Sequence, residues 1–593
     1  MQTLYGDIHG IPDTPKNKAF FKPPKTAFDR VQQELYFFRV AGLKDGYEGP
    51  GRYAHCRILC DTLWRSIPGE EVFRWHPWLE DQLEEYCRSD FVTITGPGSG
   101  GKTTGMGMVF ILQWLASPTD TGALVCAPTR DGLKKKLWGD IRKFYVGACR
   151  IIGKQGHLID SDLCIQSKKG DTKHGIFGIT VAQGEEGKAL GRIIGFHPRR
   201  IFVGVDELTD VSWAIIEALN NLFTGKQKAS FISAANASSI FDSHGKMCEP
   251  KEGWGSVTVN SNRWETKRGG ANGGVCLHLD GFKCENIVQK KVVYDFLLTQ
   301  QDIDITARDY GMDSPQMWRM RRGFWCPEGV VKSVLTESLI QRFRCMEKAT
   351  WRGGWTDGAS LDPAFEGGDR CVLRHVRWGK AEQDIDTLWL DAPEVVKIDA
   401  QSKEPIHYQI ARQVKERCRD WGVEVQNFAM DSTGEGGGLA SIIATEWAPG
   451  FLQVEFGGKA SDLPVSKVNR KTCSDEYYNR VTELWYFIRT IVQAGQLRGL
   501  DAETAIELST RIYTVETKIR LESKADMKKR LGGRSPDLGD NAAIAVELAR
   551  VRGGLGAMET SVDRTLEREW SKLVEEFAIP EDDAFMFDSI SNI

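Results

Sequence analysis

The stretch Gly96-Pro97-Gly98-Ser99-Gly100-Gly101-Lys102-Thr103-Thr104 satisfies the pattern GxxxxGK[ST]. It stands between an apolar run at residues 91–95 and a helical stretch at 103–116 that Pro118 stops. The order predicted is therefore strand, phosphate-binding turn, helix. Gly96, Gly98, Gly100 and Gly101 let backbone N–H groups wrap phosphate oxygens, with Ser99 and Thr104 completing the cradle. Lys102 brings a point charge to the β- and γ-phosphates, and the Thr103 hydroxyl is suited to ligate Mg²⁺. The bland alternative is a glycine-rich turn with an incidental lysine.

Downstream, Ile201-Phe202-Val203-Gly204-Val205-Asp206-Glu207 reads as a buried strand ending in two acids at a nucleotide crevice. Asp206 would hold Mg²⁺, directly or through water, and Glu207 would polarise the attacking water. Paired with the phosphate loop, these acids point to hydrolysis of ATP rather than to binding alone. The next strand ends Ser233-Ala234-Ala235-Asn236, where Asn236 either senses the γ-phosphate or simply makes a turn. Phosphoryl transfer also needs a cation over the developing charge. Arg192 is the first choice, with Arg199 and Arg200 behind it; each is equally at home on a solvated surface.

Around this centre, short apolar runs alternate with helical patterns from about residue 76 to 330, the mark of a mainly parallel α/β sheet. Further strands are expected at 123–127, 201–205 and 230–234. Residues 1–75 read as an extension with a helix over Ala27–Val40, and 331–352 as a connector. A second α/β block spans 353–550, with strands near 371–376, 387–390 and 427–430. Residues 551–593 read as a helix and an acidic tail.

The second block carries a different chemistry. Cleaving a phosphodiester with two metal ions needs three or four carboxylates converging from different elements. Candidates lie in Leu361-Asp362-Pro363-Ala364-Phe365-Glu366-Gly367-Gly368-Asp369, in Phe428-Ala429-Met430-Asp431, and in Ser535-Pro536-Asp537-Leu538-Gly539-Asp540-Asn541 ahead of a helix at 542–550. Asp537 and Asp540, three apart, would share one face of a first helical turn. Taken singly each acid has an ordinary reading, such as a helix cap or a strand-end loop. Lys467, Arg470, Lys471, Lys524, Lys528, Lys529, Arg530 and Arg534 make basic clusters suited to phosphate contacts; the alternative is a solvated charged loop.

The bulk numbers narrow the field. At 593 residues there is room for two or more cored domains. No uninterrupted apolar run approaches the ~20 residues of a membrane span, and the N-terminus has no secretory pattern. Fourteen cysteines without CxxC pairs suit reduced thiols in a cytoplasmic protein, and packing is favoured over zinc for His55, Cys56 and Cys60. A net charge of -4 excludes a globally basic nucleic-acid coat protein, so contacts to DNA must be local.

In order and content, GPGSGGKTT, IFVGVDE, SAANAS, YGMDSPQMWRMRRGFWCPEG, LDPAFEGGD, AMDSTGEGGG, NRVTELWYFIR and SPDLGDNAA resemble the large terminase subunits of tailed bacteriophages across roughly residues 76–550. The resemblance implies an N-terminal P-loop ATPase motor followed by a ribonuclease-H-like nuclease using Mg²⁺ or Mn²⁺. Lys102, Thr103, Asp206 and Glu207 match the ATPase positions, and Asp362, Asp431 and the Asp537/Asp540 pair match the nuclease acids. It further implies action on double-stranded DNA, a portal protein and a small terminase subunit as partners, a ring of subunits when docked, and the cytoplasm of an infected bacterium. Gly204 within the apolar strand departs from the pattern. A P-loop helicase or translocase with a non-cleaving second domain is the runner-up, and a docking component that binds nucleotide without turnover is a third reading.

Overall fold

The apolar runs flanking the glycine-rich stretch become the middle of a nine-stranded sheet. In the computed structural model, the residues described are 23–40, 51–181, 193, 196–226, 228–270, 273–330, 332–365, 369–399, 401–465, 471–515, 517–530 and 535–556. The chain divides into two α/β units, Met1–Pro327 and Glu328–Ile593.

The strands of the first unit are β1 (Phe91–Thr95), β2 (Thr121–Ala127), β3 (His157–Ile159), β4 (Cys164–Gln166), β5 (Gly175–Thr180), β6 (Arg200–Asp206), β7 (Lys228–Ala235), β8 (Arg263–Gly270) and β9 (Gly273–His278). Their order across the sheet is β3-β4-β5-β2-β6-β7-β1-β9-β8. From β5 to β9 every neighbouring pair is parallel; only the margins are antiparallel. β1, β2 and β6 are buried along their whole length, as parallel strands covered on both faces must be. The helix Lys102–Ala116 runs beneath the sheet and is buried on nearly all sides.

Gly204 now has a physical reason. A Cβ there would stand 2.5 Å from Cε2 of Phe110, on the helix that follows the glycine-rich turn. The departure from an apolar strand is the groove that lets this helix approach. Upstream, the helices Arg52–Trp64 and Pro77–Arg88 belong to the same core. Trp64 donates from Nε1 to the Phe144 carbonyl at 2.8 Å, so 52–64 is integral to the first unit. His55 Nδ1 lies 2.7 Å from Glu34 Oε2, while Cys56 and Cys60 are fully buried.

The second unit is built on β10 (Trp355–Asp362), β11 (Val372–Lys380), β12 (Asp386–Leu390), β13 (Glu394–Val395), β14 (Phe428–Asp431), β15 (Leu452–Val454) and β16 (Leu497–Arg498), with a small hairpin of β17 (Tyr513–Val515) and β18 (Ile519–Leu521). The sheet order is β15-β14-β10-β11-β12-β16, with β13 beside β11. β10, β11 and β12 are antiparallel, while β14 and β15 run parallel to β10. Alternation along β10 puts Ala359 and Leu361 into a core with Ile410 and Val414 on one face. The opposite face, with Ser360, meets the helix Asp537–Gly553. Residues 332–347 join this unit: Val334 N–H donates to the Arg511 carbonyl, and Glu337–Arg342 is helical.

All fourteen cysteines are free thiols. Among the described residues no helix is long and apolar enough to cross a membrane.

Candidate functional sites

The first site follows from strand order. β7 lies between β1 and β6, with Thr95 opposite Ala235 and Asp206 opposite Ala234. The C-terminal ends of three adjacent parallel strands thus bring Gly96, Asn236 and the Asp206-Glu207 pair to one edge, where α/β sheets bind ligands. Beyond β1 the chain turns through Ser99 (φ 58°) and Gly101 (φ 67°) before the helix begins at Lys102.

Lys102 Nζ donates to the carbonyls of Gly96 (3.0 Å) and Pro97 (2.6 Å) and to Asn236 Oδ1 (2.8 Å). Asn236 is therefore tied to Lys102 rather than merely ending a strand. Burial lowers the Lys102 ammonium to about 8, against the pull of Asp206 and Glu207. Burial, with Glu207 adding to it, raises the Asp206 carboxyl to about 6. Both groups are under-solvated, and burial disfavours the charged form of each. Thr104 Oγ1 donates to Asp140 Oδ2 at 3.1 Å, turned to the protein; Thr103 begins the same helix beside Lys102.

Glu207 takes a left-handed backbone conformation (φ 54°), and its Oε1 accepts from Lys136 Nζ. Gly98 N–H donates to the Met320 carbonyl at 3.0 Å. Met320 belongs to a six-residue π-helical turn, Met317–Arg322, of the kind found at functional sites. Arg200 opens β6 and Arg199 precedes it, six and seven residues from Asp206, which is about 20 Å or more of extended chain. Neither can reach this edge of its own chain. Arg192 lies outside the described residues.

The second site also sits at strand ends. Leu361 pairs with Met430 across β10 and β14, so Asp362 and Asp431 end neighbouring parallel strands. Asp537 and Asp540 occupy the first turn of the helix Asp537–Gly553, which starts five residues earlier than expected. The cap position is Pro536, without a side-chain cap bond, so the helix-capping reading of these two acids fails. Asn541 anchors the turn to the sheet: its Nδ2 donates to the Ser360 and Val372 carbonyls, and its Oδ1 accepts from Ser360 Oγ and the fully buried Arg374.

The acids are electrostatically one cluster. Burial raises Asp362 well above the usual carboxylate range, with Asp540, Asp431 and Asp537 adding to the effect. Burial likewise raises Asp431. Among the cations that answer it are Arg511, whose Nη1 lies 3.1 Å from Asp540 Oδ1, and Lys524, whose Nζ lies 3.3 Å from Asp540 Oδ2 and 3.5 Å from Asp537 Oδ1. Burial opposes that charge, yet Asp540, Asp362 and Asp537 hold it above the ordinary lysine range. Four carboxylates gathered in this way are a donor set that fits a hard divalent cation. As arranged, though, no three His, Cys, Asp or Glu side chains among the described residues are drawn close enough to ligate one. A cation could be held here only if the carboxylates closed in and Lys524 yielded.

No protein-family model matches the chain, and no curated protein is similar to it by sequence. It is similar to solved large terminases of bacterial viruses. The HK97 bacteriophage large terminase has 12% identity over 81% of this chain and 96% of its own, with a TM-score of 0.34. The nuclease domain of the large terminase subunit of bacterial virus Sf6 has 14% identity over 36% of this chain and 98% of its own, with a TM-score of 0.28. Likeness this slight leaves the functional reading to the residues themselves.

Several of the expected basic contacts are spent within the protein. Lys528 binds both oxygens of Asp369, which sets that acid apart from the cluster; Arg530 pairs with Glu522, and Lys471 with Glu476. Glu366, Lys467, Arg470 and Arg534, with residues 1–22 and the tail from 557, lie outside the described residues. Sequence reasoning missed Lys136, Met320, Arg374, Trp485 and Arg511. Trp485 and Met320 fell within quoted motifs and Arg374 within the strand expected at 371–376, and nothing in their spacing revealed their partners.

Proposed function

We propose that the chain is the large subunit of a viral DNA-packaging motor, an ATPase whose second unit is a metal-dependent endonuclease. The observation that carries the ATPase half is the bond from Lys102 to Asn236, with Asp206 and Glu207 ending the next strand. That is the set needed to bind a nucleoside triphosphate, sense its terminal phosphate and activate water. On this reading Gly96, Gly98, Ser99, Gly100, Gly101, Lys102, Thr103 and Thr104 cradle the phosphates. Thr103 and Asp206 would hold Mg²⁺, which supplies charge neutralisation between phosphates. Glu207, released from Lys136, orients the attacking water. Arg192 remains the proposed cation over the transferred phosphoryl group.

The nuclease half is supported by the convergence of Asp362, Asp431, Asp537 and Asp540 from two strands and one helix, and by a strand order of three antiparallel then two parallel strands, as expected of a ribonuclease-H-like domain. Those acids would hold Mg²⁺ or Mn²⁺, whose chemistry is to activate water and stabilise the leaving oxygen. Double-stranded DNA as substrate, a portal protein and a small terminase subunit as partners, a ring of copies and residence in an infected bacterium all follow from the family resemblance.

The deciding experiment is plasmid cleavage in Mn²⁺, with and without ATP, comparing the unaltered chain with Asp362→Ala. Cleavage by the first and not the second supports the reading. Equal cleavage by both moves the metal site elsewhere, and no cleavage by either leaves a translocase with a silent second domain.

A further inference from the structure

Asp540 does not face the acid cluster freely. Its Oδ1 accepts from Trp485 Nε1 at 2.8 Å and from Arg511 Nη1 at 3.1 Å. The Arg511 guanidinium also lies over the Trp485 ring, 4.4 Å from its centroid. Both side chains are buried, and neither belongs to the helix that carries Asp540. With Oδ1 held twice, only Oδ2 points toward the cluster, where it meets Lys524.

Gly539, immediately before Asp540, explains how the indole reaches this place. A Cβ on Gly539 would stand 2.3 Å from Cη2 and 2.8 Å from Cζ2 of Trp485. The missing side chain is the space the ring occupies. Asp537 is treated in the same manner by another element: the Arg370 backbone N–H donates to its Oδ2 at 2.8 Å, leaving Oδ1 toward Lys524. Each acid of the pair is thus left with one oxygen for the cluster.

We infer that Trp485 and Arg511, seated by Gly539, are positioning residues that make Asp540 a one-oxygen ligand of the nuclease metal, so that both Asp537 and Asp540 contribute. The inference rests on the nuclease reading. Hydrogen-bonded partners of metal ligands are worth about 10- to 100-fold in metal affinity. Trp485→Phe removes the indole N–H and leaves a smaller aromatic ring, Gly539→Ala evicts the indole, and Arg511→Lys retains a cationic donor where Arg511→Met retains none.

The test is Mn²⁺ binding to the full chain by titration calorimetry, without nucleotide or DNA, beside a melting curve for each variant. Trp485→Phe and Gly539→Ala are expected to weaken Mn²⁺ about tenfold or more at the site that Asp362→Ala abolishes. Arg511→Lys should fall between the unaltered chain and Arg511→Met, with the Trp485→Phe melting temperature within a few degrees of normal. Mn²⁺ affinity within twofold of normal in Trp485→Phe and Arg511→Met overturns the inference. If Asp362→Ala binds Mn²⁺ as the unaltered chain does, or neither binds, the nuclease reading fails and takes this inference with it. Should Trp485→Phe not fold, the Arg511→Lys and Arg511→Met comparison decides.

Discussion

Lys136, just past the short helix Arg130–Lys135, donates from Nζ to the Oε1 of Glu207, the acid that follows β6. Both side chains are substantially exposed, 54% and 38%. A pair so exposed contributes about 0–1 kcal/mol, a restraint that nucleotide binding can break. The general base itself is worth about 10²- to 10⁴-fold. Glu207→Gln is therefore expected to lose at least about a hundredfold in ATP turnover while retaining nucleotide binding. Lys136→Ala should alter turnover by no more than about fivefold. Phosphate release and fluorescent-nucleotide titration on both variants check this, and normal turnover in Glu207→Gln would remove that residue from the chemistry.

Gly204 leaves room for the Phe110 ring beneath β6. Gly204→Ala should destabilise the first unit by about 1–3 kcal/mol through overpacking. Because β6 ends in Asp206, nucleotide affinity should weaken with it. Thermal melting with and without ATP measures both effects; an unchanged melting temperature would mean that the helix and strand can part without cost.

Asp431→Ala should end DNA cleavage, a loss of at least about a hundredfold, since one carboxylate of a two-metal set cannot be spared. ATP turnover should stay normal, because every residue assigned to hydrolysis lies in Met1–Pro327. A gel assay for nicking and a phosphate assay on the same preparation separate the two outcomes.

Glu483 is fully buried and accepts from the Ser461 N–H and hydroxyl, Arg480 and Arg550. Burial works to raise its carboxyl, but those donors win and bring it from 4.5 to about 2. A folded value below the unfolded one means that the stabilisation is present above pH 4.5 and drains away toward pH 2. A shift of that size corresponds to about 3 kcal/mol. Glu483→Gln should therefore unfold more readily than the unaltered chain at pH 7, with the gap closing as the pH falls. Urea denaturation of the second unit at pH 7 and at successively lower pH reads this, and a pH-independent gap would contradict it.

Local pattern alone made the phosphate loop readable, because GxxxxGKT must be contiguous to turn a backbone around phosphate. β1 was legible over its full length, and β6 through its apolar core, since strands buried on both faces write themselves as apolar runs. β10 was not: Trp355, Thr356 and Asp357 are polar or exposed, and its buried half alternates between a core and a helix face. The helix Asp537–Gly553 was expected too late because Pro536, Gly539 and two acids disguise its first turns.

The sequence by itself determined which residues are candidates for the chemistry, since Lys102, Asp206, Glu207 and the strand-end acids announce themselves by type and local context. Only the tertiary structure decided what holds them. Glu207 meets Lys136 from 71 positions away, and Asp540 meets Trp485 from 55. Contacts of that span are set by sheet order and helix packing, which no local spacing encodes. The same physics gives the glycines opposite standing. Those of the phosphate loop are readable as a turn, whereas Gly204 and Gly539 make sense only once Phe110 and Trp485 are seen lying against them.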